Sequence, residues 1–306
     1  VPITAAMQFH HDVALRVIST DKSRWSSNSV IVVDTSGSMQ KADVWGARNR
    51  LASVWISIAL DFFATRIENG SGSTDVVSII CMGNSSEVLL HEKPTTYVTY
   101  NEVVKIYTEE IIKPRYHGNY LPAFDTAEQL INANTTESCA IGLCFISDGK
   151  PSDHCDDSAI VDRIAMLAKR YGRSLSFDAI GIGDRDDFDT LQKMVDEAND
   201  YGAIASLKLP SKTSSALGDV LNSFATSVTT TQIEMTDMMT SKQQRVKRVE
   251  RESLTEASAA IKFVSEKDFF IYPEVYAKRF IWNDTDQDGS WKGAFKETPL
   301  HHEEAK

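Results

Sequence analysis

Hydrophobic residues along this chain fall into short continuous runs and into longer stretches with three- and four-residue spacing, and the two kinds alternate. The sharpest run is Val30, Ile31, Val32 and Val33, consecutive aliphatics that read as a strand buried on both faces. Similar runs predict strands over residues 75–82, 140–147, 176–182 and 203–209, with residues 87–91 an edge strand that returns antiparallel through a short loop. Helical spacing predicts a long helix over residues 43–67, where Val44, Leu51, Val54, Trp55, Ile58, Ala59, Phe62 and Phe63 share one face. Further helices are predicted over 121–132, 158–171, 188–198 and 214–228, and an amphipathic stretch over 101–113 ends at Pro114. Pro122 sits where a first helical turn tolerates proline, and Gly172 closes the helix before it. Residues 13–18 alternate, which predicts an edge strand or an N-terminal extension. Strands alternating with helices imply an α/β, doubly wound, mostly parallel sheet with helices on both faces and right-handed crossovers.

The first strand stops abruptly at Asp34 and continues as Thr35, Ser36, Gly37 and Ser38. Oxygen donors at alternate positions therefore sit where a central strand ends, which in an open parallel sheet is where ligands bind. One carboxylate and two neutral hydroxyls suit a hard divalent cation, and Gly37 lets the backbone fold tightly enough for them to converge. The competing reading is that Asp34 and Ser36 cap the following helix while Ser38 lines a turn.

The stretch Asp34-Thr35-Ser36-Gly37-Ser38 resembles the metal-ion-dependent adhesion site of the von Willebrand factor type A (VWA) family, which includes integrin inserted domains. In that family the pattern Asp-x-Ser-x-Ser follows the first strand, a threonine lies on a distant loop, and an aspartate follows the fourth strand. Asp148, at the end of the run over 141–147, matches the last of these, while Gly118 stands where the threonine belongs. The resemblance covers residues 25–232 and implies a Rossmann-like domain holding Mg²⁺ or Mn²⁺ through Asp34, Ser36, Ser38 and Asp148. The position vacated at Gly118 would fall to water, or to Asn119 or Tyr120 if the loop shifts by a residue, so restoring a threonine there is expected to tighten metal binding. The implied function is a metal-dependent adhesion or scaffold module that docks an Asp or Glu of a partner protein, with no catalytic residues, because nothing near the ion pairs a nucleophile with a base. The alternative is an accessory N-terminal domain of a larger enzyme such as an alpha-kinase-type protein kinase, whose approach residues 276–296 faintly resemble.

In a chain of 306 residues with a formal net charge of −11, non-specific binding to nucleic acid or an anionic membrane is disfavoured. No apolar run is long enough for membrane insertion, since the best candidate, residues 54–64, is broken by Asp61. No signal peptide is visible, and the start at Val1 suits a piece excised from a longer protein. With the strand order the resemblance implies, Cys81 and Cys144 flank the first strand, about 9.5 Å apart and beyond disulfide reach. Cys139 and Cys155 bracket the fourth strand from opposite ends. Unpaired thiols point to a reducing, cytoplasmic setting, whereas glycosylation triplets at Asn69, Asn84, Asn134 and Asn283 would matter only in a secreted chain.

Two acidic loops, Asp153, Asp156 and Asp157 after the fourth strand and Asp184, Asp186, Asp187 and Asp189 after the fifth, belong to the same end of the sheet as Asp34. They read mainly as helix-dipole partners, and together they make the rim negative, favouring a partner carboxylate flanked by Lys or Arg. His154 and Cys155 lack the companions a transition-metal site needs. Gly181-Ile182-Gly183 is a turn, and Asp284-Thr285-Asp286-Gln287-Asp288-Gly289 opens like a calcium loop but has Phe295 at its twelfth position, so it reads as a polar turn. The domain expectation is thus an N-terminal extension (1–24), the VWA domain (25–232), a charged linker (233–266) and a C-terminal extension (267–306) that reads as the truncated start of another domain.

Overall fold

The computed structural model describes residues 1–70, 73–133, 138–153, 157–183 and 188–253, with 241–253 described by backbone alone. Contacts divide the chain into Val1–Met239 and Thr240–Lys306. In the second unit the described residues are helical backbone. The expectations for residues 267–306, the calcium-like turn and the kinase-like run lie outside the described residues.

The first unit is built on a sheet of strands β1 (Ser27–Asp34), β2 (Asp75–Met82), β3 (Ser86–Pro94), β4 (Ala140–Ser147), β5 (Leu175–Gly181) and β6 (Ile204–Lys208). Their order is β3-β2-β1-β4-β5-β6, and only β3 runs antiparallel. The chain winds outward from β1 in one direction and from β4 in the other, so the crevice between these two strands is the topological switch point. β1, β2, β4 and β5 are buried along their whole length, as their unbroken apolar runs require.

Helix α1 (Ala5–Thr20) precedes the sheet; α2 (Arg50–Ser57), α3 (Ala64–Glu68), α4 (Tyr97–Thr108), α5 (Tyr120–Asn132), α6 (Asp157–Tyr171), α7 (Asp189–Asp200) and α8 (Ser214–Ser253) follow in order. Side chains of α5, α6 and α7 fill the core on one face of the sheet, and those of α2, α4 and α8 fill it on the other. Gly142 on β4 lets α8 lie close, because a β-carbon there would stand 2.6 Å from Val228.

Several elements depart from the patterns in the sequence. The alternating residues 13–18 are helical: His11, Ala14 and Ile18, spaced three and four apart, are the buried residues of α1, and Thr4 caps its first turn. The helix expected from residue 43 begins only at Arg50, where extended Asn49 accepts the Ala52 amide at 2.8 Å, while Trp45 is bridged to Thr213. Between α2 and α3 the chain widens into a π-helical segment, Ile58–Phe63. That extra residue per turn lets consecutive Phe62 and Phe63 both be buried, with Phe62 stacked on Phe224 of α8. Helix α4 starts earlier than the amphipathic stretch suggested, and α8 runs on past residue 228, so the expected boundary at residue 232 falls inside a helix.

Cys81 and Cys144 pair with Val33 and Ile31 on opposite sides of β1 and are buried free thiols; Cys139 is buried as well. No described helix is long and apolar enough to cross a membrane.

At the sheet edge where the parallel strands begin, the Arg66 guanidinium is buried. It pairs with Asp75 at 3.1 Å and donates to Ser27 Oγ at 2.8 Å and Thr229 Oγ1 at 2.6 Å, joining α3, β1, β2 and α8. Arg66→Met leaves Asp75 charged and buried, and is expected to lower unfolding free energy by about 3–5 kcal/mol in urea titration. His11 supplies a pH dependence: it is buried against Thr96 at 2.8 Å, and desolvation lowers its pKa below 6.5. Because the folded state holds the neutral ring, stability is full above pH 6.5 and falls as pH drops towards the folded pKa. His11→Leu should flatten that part of the stability–pH curve.

Candidate metal centre

Asp34 is the last residue of β1 and is only 3% exposed. Its neighbour Thr35 is tied to the end of β2, with amide and hydroxyl both donating to the Met82 carbonyl at 2.8 Å. The chain then turns through a short 3₁₀ helix, Gly37–Gln40, anchored by the fully buried Met39. The Gly37 amide donates to the Tyr116 carbonyl at 3.0 Å, and the Arg115 amide to the Thr35 carbonyl at 2.8 Å, so residues 115–116 brace the motif from outside.

Within this frame the oxygens of Ser36, Ser38 and Asp148 are joined in a row, and those of Asp34 are held beside them. Asp34 Oδ1 accepts the Ser36 amide at 2.7 Å, and its Oδ2 accepts Ser147 Oγ at 2.8 Å. Ser36 Oγ and Ser38 Oγ lie 2.9 Å apart, and Ser38 Oγ donates to Asp148 Oδ1 at 2.7 Å. Four residues singled out in the sequence, Asp34, Ser36, Ser38 and Asp148, therefore converge at the switch point. Burial pushes the Asp34 carboxyl above the usual range, opposed by the Ser36 hydrogen bonds and reinforced by the neighbouring Asp148 charge. Among the described residues no cluster of three or more His, Cys, Asp or Glu side chains exists to hold a metal; the donor set here is carboxylate and hydroxyl, which suits Mg²⁺ or Mn²⁺ and not a softer ion.

Gly118 is also at the site. A β-carbon on it would stand 3.1 and 3.2 Å from the two Asp34 carboxylate oxygens, so the loop approaches Asp34 as closely as a glycine permits. This sets a competing expectation for a restored threonine, since any side chain here meets Asp34. Asn119 is turned towards the β2–β3 loop, donating from Nδ2 to the Asn84 carbonyl at 3.0 Å, while its buried Oδ1 has no hydrogen-bond partner among the described residues. Tyr120 is fully buried, with its hydroxyl donating to the Gly149 carbonyl at 2.7 Å, and burial raises its pKa.

Sequence reasoning passed over Arg50. Its guanidinium donates to Asp148 Oδ2 at 2.9 Å and in a fork to Asp43, at 2.8 Å to Oδ1 and 2.5 Å to Oδ2. The Arg50 hydrogen bonds, the leading cause, hold the Asp43 carboxyl well below the usual carboxylate range. An arginine in the first turn of a helix opposes the helix dipole, and that mismatch was the available signal that it needs an acidic partner. Of the acidic loops, Asp153 caps α5 by accepting the Tyr120 and Leu121 amides, and Asp157 is held by Lys193 and Thr190. Asp189 opens α7. His154, Cys155, Asp156, Asp184, Asp186 and Asp187 lie outside the described residues.

No family model and no curated protein sequence matches the chain. Among solved structures, a von Willebrand factor type A protein from Catenulispora acidiphila superposes with a TM-score of 0.50 at 12% identity over 67% of this chain and 43% of that one. The chain has the von Willebrand factor type A fold. The PilB minor pilin from Streptococcus sanguinis (TM-score 0.51, 13% identity, 67% of this chain and 61% of that one) and the pilus adhesin SpaC from Lactobacillus rhamnosus GG (0.50, 15%, 66% and 30%) are similar in the same way. In each case the match spans less than two thirds of the other chain. The sheet order and the place of Asp34 and Asp148 at the switch point are those the VWA resemblance implied.

Gly118→Ala tests the close approach. Asp34 must give way by a few tenths of an ångström, so the variant is expected to lose about 1–3 kcal/mol of stability in urea titration. Gly118→Thr should weaken Mn²⁺ binding in calorimetry; unchanged stability and affinity in both variants would show that Asp34 is free to move.

Proposed function

We propose that this domain is a protein-docking module that works through a divalent cation, Mg²⁺ or Mn²⁺, held by Asp34, Ser36, Ser38 and Asp148. The observation that carries the reading is the hydrogen-bonded run Ser36 Oγ–Ser38 Oγ–Asp148 Oδ1 at the β1–β4 switch point, with Asp34 held beside it through the Ser36 amide. Ser36 and Ser38 offer neutral oxygens, and Asp148 offers Oδ1. Asp34, backed by Ser147 and the Ser36 amide, contributes its charge from a buried position. A cation bound by mostly neutral donors stays electrophilic and takes a further oxygen ligand, here an Asp or Glu of a partner protein. Tyr116, 67% exposed, borders the motif and supplies apolar contact of the kind that dominates interfaces. Tyr116 holds a φ of +64° while its carbonyl binds the Gly37 amide, so its backbone is fixed to the motif. The use of the same fold by a pilus adhesin is in keeping with docking. The free thiols of Cys81 and Cys144 support the cytoplasmic setting proposed with it.

The direct test is calorimetric titration of the chain with Mn²⁺, alongside Asp34→Ala. The variant is expected to bind about 10- to 100-fold more weakly, the usual effect of removing a group that orients metal ligands. Equal affinity in the two proteins would end the assignment.

A further inference from the structure

Arg50 occupies an unusual place for a cation. Its side chain is 2% exposed, and the Asp148 side chain it contacts is 3% exposed. It touches the two anions that flank it by separate edges, the fork of Nε and Nη2 on Asp43 and the remaining Nη1 on Asp148 Oδ2. Behind it the backbone closes in: a β-carbon on Gly183 would meet Nη1 at 3.2 Å and the Asp148 carbonyl at 3.3 Å. Asp43 is in turn held by Lys212 at 3.4 Å. The guanidinium cannot leave without opening this wall, and its planar fork fixes the orientation of the carboxylate it holds.

Asp148 is thereby shared between two cations. Its Oδ2 belongs to Arg50, and its Oδ1, aimed at Ser38, is what remains for a divalent ion. A fixed positive charge on one oxygen of a carboxylate has two consequences. It keeps the other oxygen in position when no ion is bound, and it reduces the attraction of the same carboxylate for a second cation, with little screening because both groups are buried.

We propose that Arg50 is a resident counter-cation, a positioning residue that keeps Asp148 facing Ser38 without a metal and at the same time lowers the affinity of the site for a divalent ion. The second half rests on the proposed function; the first does not. The domain would then hold its docking face in shape in the absence of metal and respond to Mg²⁺ or Mn²⁺ only at high concentration.

The experiment is Mn²⁺ titration of the whole chain and of Arg50→Gln, with thermal midpoints in EDTA and in Mn²⁺. Arg50→Gln should bind Mn²⁺ about tenfold more tightly. Its midpoint should fall in EDTA and recover in Mn²⁺ by more than the wild-type midpoint moves. A purely structural arginine would lower the midpoint in both conditions and leave affinity unchanged or weakened, and that result overturns the proposal. If the wild-type chain takes up no Mn²⁺, the proposed function fails on its own; Arg50→Gln then decides the inference, since gained Mn²⁺ binding supports it and none overturns it. Should Arg50→Gln not fold, Asp43→Asn keeps the guanidinium and turns its full charge towards Asp148. That variant should bind Mn²⁺ severalfold more weakly than wild type, and unchanged affinity counts against the inference.

Discussion

Two carboxylates, Asp34 and Asp148, are buried side by side at the ends of the two central strands, and the surroundings must answer their charge. Because β1 and β4 are neighbours in parallel register, the residues that leave them enter the same crevice. Neither carboxylate can escape to solvent, since Asp34 is 3% and Asp148 7% exposed. Ser147 and the Ser36 amide serve Asp34, whereas Ser38 and Arg50 serve Asp148. The loops around the crevice follow from this requirement: the tight turn over Gly37–Gln40, the brace at 115–116 and the close approach of Gly118.

The opposite end of the sheet answers a similar problem with a buried ion pair. There Arg66 pairs with Asp75 and donates to Ser27 and Thr229, its Nε alone lacking a partner among the described residues. At the candidate site the arginine satisfies only one oxygen of Asp148, and the hydroxyls of Ser36 and Ser38 remain available to change partners. That difference is why the functional proposal attaches to the Asp34–Asp148 end of the sheet.

Much of the framework was legible in the residues. The unbroken apolar runs give β1, β2, β4 and β5, because a strand covered by helices on both faces cannot alternate. The Asp-x-Ser-x-Ser stretch and Asp148 could be read as partners because a parallel doubly wound sheet brings the ends of its central strands together. Where the reading failed, a tertiary contact had overruled a local pattern. Residues 13–18 alternate in polarity yet lie in α1, since burial of His11, Ala14 and Ile18 is decided by what the helix lies against. Residues 43–49 carry helical spacing yet form a loop, held by the Trp45–Thr213 bridge and stopped by the Asn49 cap.

The sequence by itself determined the order of the elements from β1 onward and the parallel character of the sheet, which follow from periodicity, and three oxygen-bearing residues of the candidate centre, which follow from position at a strand end; the family resemblance added Asp148. The tertiary structure alone decided that Arg50 shares Asp148, that Ser147 backs Asp34, that Gly118 presses on Asp34 and that Asn119 turns towards Asn84. These contacts join residues from different elements, and no local pattern encodes which side chain a buried charge will find. Periodicity records which face of an element is covered; the partner on that face is chosen by packing.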